Sequence, residues 1–168
     1  GEDMATAEVV APVLSRLVEL RGDATAGLLV ERVVLRGLTL QHQDWVLEPQ
    51  GHSDAQAVVT APAAVLADGA LDCVVEGCEV AHVGDYGIWF RQGCRRNHLQ
   101  RNRLFDLGVG GIRIGQAAMP PCDAVTSAEN RVDNNHLFDG GHVYPAGVGI
   151  WVAQSYGNVI SHNAVHDF

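Results

Sequence analysis

The chain has 168 residues and a mass of 18.0 kDa, enough for one domain with a real core and too short for two ordinary ones. Its 20 acidic against 11 basic residues give a formal net charge of −9. That argues against nucleic acid and anionic membrane as partners, since a polyanion wants a basic face. No run approaches ~20 apolar residues, so no membrane-spanning helix is expected, and no charged-then-apolar leader stands at Gly1.

From the N-terminus, the first structured segment reads two ways. Leu17-Val18-Glu19-Leu20 alternates as a strand does, while Leu14, Leu17 and Val18 also fit a helical period. From residue 33 a template takes over. Val33-x-Leu35-x-x-Leu38-x-Leu40-x-His42 returns as Cys73-x-Val75-x-x-Cys78-x-Val80-x-His82. It then recurs as Asn97-x-Leu99-x-x-Asn102-x-Leu104-x-Asp106, as Asn130-x-Val132-x-x-Asn135-x-Leu137-x-Asp139 and as Asn158-x-Ile160-x-x-Asn163-x-Val165-x-Asp167. The copies start 40, 24, 33 and 28 residues apart, so one unit repeats with insertions of different length. Between copies lie Gly87-Ile88-Trp89-Phe90, Gly111-Ile112-Arg113-Ile114 and Gly149-Ile150-Trp151-Val152. Their alternation predicts strands whose first and third positions after Gly point inward and whose middle position points out.

Leucine-rich repeats need a denser Leu pattern, and helical repeats need long amphipathic stripes that are missing here. The remaining solution is all-β: a right-handed parallel β-helix, a pectate-lyase-like solenoid of about five coils. Successive coils stack ~4.8 Å apart, so equivalent residues form columns along the axis. Leu35, Val75, Leu99, Val132 and Ile160 are expected to form one interior column, and Leu40, Val80, Leu104, Leu137 and Val165 another. Asn97, Asn130 and Asn158 should form a turn ladder, as should Asn102, Asn135 and Asn163. A single β-helix domain over 1–168 is expected, cut at both ends from a longer parent, because no cap or polar stop follows the last copy. Open ends would meet the rest of that parent or self-associate. Cys73, Cys78, Cys94 and Cys122 are too few for a disulfide scaffold at this length, and Cys73-x4-Cys78 is too loose for half a zinc site. Free thiols are expected, with Cys73 and Cys78 in stacked turn or core positions.

Two columns carry chemistry. Trp89, Arg113 and Trp151 occupy the outward strand position on consecutive coils; indoles stack on sugar C–H faces while a guanidinium fixes hydroxyls or a carboxylate. The competing reading is that the insertions at 43–63, 115–128 and 140–148 cover these side chains as satellite core. The second column is the template's last position: His42, His82, Asp106, Asp139 and Asp167. Stacked carboxylates repel unless cations, hydrogen bonds or protonation relieve them. Either each Asp caps its own turn, or two of the three form a catalytic pair. Neighbouring coils would place such a pair about 5 Å apart, as in retaining glycosidases, and Asp106 and Asp167 about 10 Å apart, near the inverting range. Mutual repulsion would raise one pKa and create a proton donor. His82, Asp85, Tyr86, His142 and Tyr144 flank this face, and all but Asp85 join Trp89, Arg113 and Trp151 as expected substrate contacts.

No cofactor and no metal are expected. His162-x-x-x-His166 has metalloenzyme-like spacing, but on a strand and turn the rings need not converge. Gly108-Val-Gly-Gly111 resembles a phosphate loop, yet Arg113 stands where its last Gly belongs and no helix pattern follows. Two rivals to hydrolysis stay open: a calcium-dependent polysaccharide lyase with Arg113 as the base, and a non-catalytic carbohydrate-binding or structural solenoid.

The runs His82-Val-Gly-Asp-Tyr-Gly-Ile-Trp-Phe90, Asp106-Leu-Gly-Val-Gly-Gly-Ile-Arg-Ile-Gly115, Tyr144-Pro-Ala-Gly-Val-Gly-Ile-Trp151 and Ile160-Ser-His-Asn-Ala-Val-His-Asp-Phe168 resemble glycoside hydrolase family 141. Gly37-Leu-Thr-Leu-Gln-His42 with Trp45 is similar too, so the likeness runs from about residue 9 onward. The resemblance implies hydrolysis of a plant-type polysaccharide or oligosaccharide, fucosidase- or xylanase-like, by a secreted or periplasmic protein. Members of that family are several times longer, and their pattern continues past His166-Asp167-Phe168. Mapped by motif, Asp106 and Asp167 fall in its most distinctive segments with Asp139 between them.

Overall fold

The computed structural model describes residues 5–7, 9–47, 49–51, 53 and 55–168. The first coil comprises β1 (Val18–Arg21), β2 (Val30–Glu31), β3 (Val34–Arg36) and β4 (Thr39–Gln43). The second has β5 (Ala63–Asp68), β6 (Ala70–Leu71), β7 (Val74–Glu76) and β8 (Glu79–Val83), and the third β9 (Tyr86–Phe90), β10 (His98–Gln100) and β11 (Arg103–Leu107). Then come β12 (Ile112–Gly115), β13 (Ser127–Ala128), β14 (Arg131–Asp133) and β15 (His136–Phe138). The fifth coil is β16 (Ile150–Ala153), β17 (Ser155–Tyr156), β18 (Val159–Ser161) and β19 (Ala164–His166). Among the described residues, equivalent strands pair in parallel into three five-stranded sheets and two two-stranded ones, β2-β6 and β13-β17. The first is β1-β5-β9-β12-β16, the second β3-β7-β10-β14-β18 and the third β4-β8-β11-β15-β19. The fold is a right-handed parallel β-helix of five coils.

The expected columns are in register. Leu35, Val75, Leu99, Val132 and Ile160 are successive Cα partners, as are Leu40, Val80, Leu104, Leu137 and Val165. A third column, Val18, Val65, Ile88, Ile112 and Ile150, completes the interior. The segment that fitted both a helix and a strand is therefore β1. Its partner β5 gave no alternation in sequence because all six of its residues are buried, on both faces of the sheet.

The coil turns where single residues adopt the left-handed conformation. One corner column is Arg32, Asp72, Arg96, Glu129 and Gly157, and a second is Gly37, Gly77, Arg101, Asn134 and His162. The third is His42, His82, Asp106, Asp139 and Asp167, with φ from 49° to 61°. Left-handed backbone is strained for most side chains and least so for Gly, Asn, Asp and His, which favours the His and Asp of the template's last position, although Arg and Glu are accepted at the first two corners.

Each ladder Asn follows such a corner. Asn97 Nδ2 donates to Ala70 O at 2.9 Å and Asn130 Oδ1 at 2.9 Å, and Asn97 Oδ1 accepts from Cys73 N at 2.9 Å. The second ladder repeats this from Cys78 through Asn102 and Asn135 to Asn163. Asn97 and Asn130 are wholly buried, so these amides satisfy backbone groups that no water reaches.

The glycines at the start of β9, β12 and β16 (Gly87, Gly111 and Gly149) answer to the third sheet. A Cβ on Gly111 would lie 2.3 Å from Leu137 Cδ2 and 2.4 Å from Gly149 O, and one on Gly149 would lie 2.3 Å from Val165 Cγ1. The interior column thus packs directly on glycine backbone. Gly111→Ala is expected to cost about 2–3 kcal/mol by overpacking, measured as a lowered urea midpoint at unchanged slope.

All four thiols are free; Cys73, Cys78 and Cys94 are buried and Cys122 is exposed. Burial pushes the Cys94 thiol up to about 12, and the thiolate is the nucleophile. A maleimide or disulfide reagent at pH 8 should label Cys122 alone in the native protein and all four thiols after unfolding. Fast native labelling of a second thiol would contradict the stacked interior.

Candidate functional site

The outward column of the first sheet reads Glu19, Leu66, Trp89, Arg113 and Trp151 in register. The residues run as expected, and the insertion before β5 lies over them, as the competing satellite-core reading held. Val58, Ala61, Ala63, Tyr86 and Val109 form a second small core there, with Trp89, Tyr144 and Ala146 packed against it. Arg113 is completely buried: its two terminal nitrogens donate to Ala61 O and Val59 O, both at 2.7 Å, and its guanidinium carbon lies 3.7 Å from the Trp89 ring centroid and 5.1 Å from that of Trp151. Burial lowers its pKa to about 10, and cation–π contact with the indoles offsets part of the desolvation. Tyr86 is buried as well and its hydroxyl donates to Ala57 O at 2.5 Å.

This corrects the expectation for Arg113 and Tyr86. Neither offers an atom to a sugar, because both are buried: the Tyr86 hydroxyl and the two terminal nitrogens of Arg113 hold the insertion on the sheet, and Arg113 Nε is buried with no hydrogen-bond partner among the described residues. The same burial removes Arg113 as a proton-abstracting base. Trp89 and Trp151 are half-buried, and Trp89 Nε1 donates to Gly115 O at 2.7 Å. One indole face of Trp89 is occupied by the guanidinium.

The corner column of the third sheet behaves differently. The loop 140–148 folds back onto the preceding coil: Gly141 N donates to Val109 O at 2.8 Å, and Val143 N and Tyr144 N donate to Gly108 O at 2.8 and 3.0 Å. That clamp suspends His142 over the corner. Its Nε2 lies 3.0 Å from Asp139 Oδ1 and 3.7 Å from Asp106 Oδ1, and coordinating atoms of the three residues all fall within 4.8 Å of one another. The other Asp106 oxygen meets His82 Nδ1 at 2.5 Å, and the His82 ring stacks on His42 at 5.1 Å. Both carboxylates are about half-exposed, open to solvent and solute.

Asp167 occupies the same template position but is not part of this group. Its carboxylate pairs with its own neighbour, His166 Nδ1, at 2.8 Å. His162 and His166 do not converge, since His162 Nδ1 pairs with Asp133 Oδ1 at 2.9 Å.

The same loop places Tyr144 in a cavity of about 540 Å³ beside Asp44, Trp45, Thr60, Pro62 and Asp85. Trp45 and Tyr144 meet edge to face at 6.0 Å. Asp85 is buried and its Oδ2 accepts from Gln43 Nε2 at 2.8 Å, which fixes the carboxylate at the cavity wall. An aromatic corner with two aspartates in its lining is a form suited to a polyhydroxylated ring. Asp44 and the cavity itself were not legible in the sequence, because they depend on where the insertion lands.

A second feature missed by sequence reading is a ring ladder on the outer face of the third sheet. Phe105 stacks on Phe138 at 5.3 Å and Phe138 on His166 at 5.4 Å, with Arg103 4.1 Å above Phe105. The signal was there in the template, whose penultimate position carries Phe105, Phe138 and His166 in consecutive copies. The rings use their faces on one another and present edges outward, so they bind coil to coil and are poor sugar platforms.

Comparison with curated proteins and with solved structures returns no match. Residues 60–165 match a family model described as right handed beta helix region, the same span over which β5 to β19 stack and the Asn ladders run. The chain belongs to the right-handed β-helix family.

Proposed function

We propose that this β-helix is carbohydrate-active and hydrolyses a glycosidic bond with Asp106 and Asp139 as its carboxylate pair. The observation that carries the reading is the convergence of those two half-exposed carboxylates with His142 within 4.8 Å. Retaining glycosidases hold their two carboxyl groups about 5–5.5 Å apart, and stacking on adjacent coils supports that spacing. Asp106, oriented through one oxygen by His82 and the other by His142, attacks the anomeric carbon. Asp139 protonates the departing glycosidic oxygen. Water then attacks the glycosyl ester and gives its proton back to Asp139, which releases the sugar and restores both carboxyl groups. The Trp45–Tyr144 cavity supplies the stacking surface first assigned to Trp89 and Trp151, with Asp44 and Asp85 accepting from sugar hydroxyls.

With the resemblance to glycoside hydrolase family 141, the reading extends to a plant-type polysaccharide or oligosaccharide as substrate, cleaved in a fucosidase- or xylanase-like way by a secreted or periplasmic protein. The test is release of reducing sugar from fucosides and xylo-oligosaccharides by the full chain and by its Asp106→Asn and Asp139→Asn variants. A calcium-dependent lyase is the second reading, since the same three residues have the donor atoms for a cation. It predicts loss of activity with a chelator and an unsaturated product absorbing in the ultraviolet. The burial of Arg113 weighs against it.

A further inference from the structure

We propose that His136 and His166 form a two-imidazole chelate site for a divalent transition-metal ion, copper(II) or nickel(II), on the outer face of the third sheet. His136 on β15 and His166 on β19 are diagonal neighbours on adjacent coils, since Phe138 is the direct partner of His166. Both side chains are exposed, and their Nε2 atoms lie 2.9 Å apart. No residue of the proposed sugar-cleaving group takes part.

The pair is set up from both sides. His166 Nδ1 lies 2.8 Å from Asp167 Oδ2. An ionised carboxylate only accepts, so the ring proton sits on Nδ1 and leaves the Nε2 lone pair free to face His136 Nε2 or an ion. A carboxylate behind a ligating imidazole both fixes the ring and makes it a better donor. Phe138 packs against both rings, at 4.5 Å from His136 and 5.4 Å from His166, so an incoming ion orders little that is not already ordered.

The separation suits a cis pair of ligands. With metal–nitrogen bonds of about 2.05 Å, two nitrogens 2.9 Å apart subtend about 90° at the metal. That is the cis angle of square-planar and octahedral fields, which copper(II) and nickel(II) favour with nitrogen and oxygen donors. Tetrahedral zinc would need the nitrogens about 3.3 Å apart. Without metal, the His136 Nε2 proton is shared with His166 Nε2. As the ion enters, that proton leaves to solvent and His136 Nδ1 takes one up, so both imidazoles stay neutral and the remaining positions are filled by water.

Calorimetric titration of the untagged full chain with copper(II) and with nickel(II), in a non-coordinating buffer, tests the site. One tight equivalent is expected. His136→Ala and His166→Ala should each weaken it by at least ~30-fold through loss of the chelate, and Asp167→Asn by ~10-fold through loss of the supporting carboxylate. His98→Ala, an exposed imidazole on β10, should leave the affinity unchanged. The electron paramagnetic resonance spectrum of the one-to-one copper complex should show splitting from two nitrogens, and from one in either histidine variant. Circular dichroism confirms that each variant is folded. A single-nitrogen spectrum in the parent chain, or affinities within twofold of the parent in both histidine variants, would overturn the proposal. The first outcome would mean that a single imidazole elsewhere, such as His142 beside Asp106 and Asp139, holds the ion; the second would mean that these two histidines do not.

Discussion

Asn130→Ala is expected to remove about 3 kcal/mol of folding stability, a large share of the 5–15 kcal/mol typical of a domain. Asn130 is wholly buried, and its Oδ1 accepts from Asn97 N at 3.1 Å and Asn97 Nδ2 at 2.9 Å. Its own Nδ2 donates to Cys94 O at 2.9 Å and Asn158 Oδ1 at 3.3 Å. Alanine leaves a buried backbone N–H and a buried amide hydrogen of Asn97 with nothing to accept them, and each such orphan costs roughly 1–3 kcal/mol. The small cavity adds to that, while Cys94 O keeps its bond from Ala128 N at 3.0 Å. Asn163→Ala, at a half-buried position on the last coil, should cost about 1 kcal/mol, because trimming that side chain opens Asn135 N and Nδ2 to water. Urea denaturation followed by circular dichroism reads both values. Equal, small losses at the two positions would mean that the ladders accompany the solenoid without holding it.

The fold was legible because its physics repeats. A column residue meets its own template position above and below, so the pattern Asn-x-Leu-x-x-Asn-x-Leu-x-Asp states neighbours 24 to 40 residues away as clearly as local ones. The left-handed corners added a second layer of signal, visible as the bias of the last position toward Asp and His. β5 escaped because burial on both faces erased its alternation. The gap between copies that contained it read only as an insertion.

The site was half-legible, and the reason is the backbone. Arg113 stands in a strand where its neighbours along the chain predict exposure. The 43–63 insertion was readable as a possible cover, but the carbonyls of Val59 and Ala61 that take up the Arg113 guanidinium, more than 50 residues upstream, leave no mark in a sequence. The Asp column was readable as a column but not as a set of unlike members. His142 reaches Asp106 and Asp139 only because loop 140–148 is pinned to Gly108 and Val109. Asp167 follows His166 where Asp106 and Asp139 follow Phe105 and Phe138, and a neighbouring imidazole claims its carboxylate.

Asp106→Asn and Asp139→Asn are each expected to lower turnover by ~10²–10⁴-fold, while Asp167→Asn stays within about twofold. Asn has the shape of Asp and tolerates the left-handed corner nearly as well, so folding should survive all three changes and any loss reports chemistry. An amide neither attacks an anomeric carbon nor passes a proton to the departing oxygen. An aryl glycoside with an acidic leaving group separates the two roles. It needs no protonation to depart, so Asp139→Asn should regain much of the first step on that substrate, whereas Asp106→Asn should not. His142→Ala should lower kcat more than it raises KM, because the imidazole orients both carboxylates without binding the sugar. Were both single Asn variants to keep parental turnover, the two carboxylates would be corner residues and nothing more. Sugar binding lost on Trp45→Ala but indifferent to either Asn change would then identify a carbohydrate-binding solenoid that cleaves nothing.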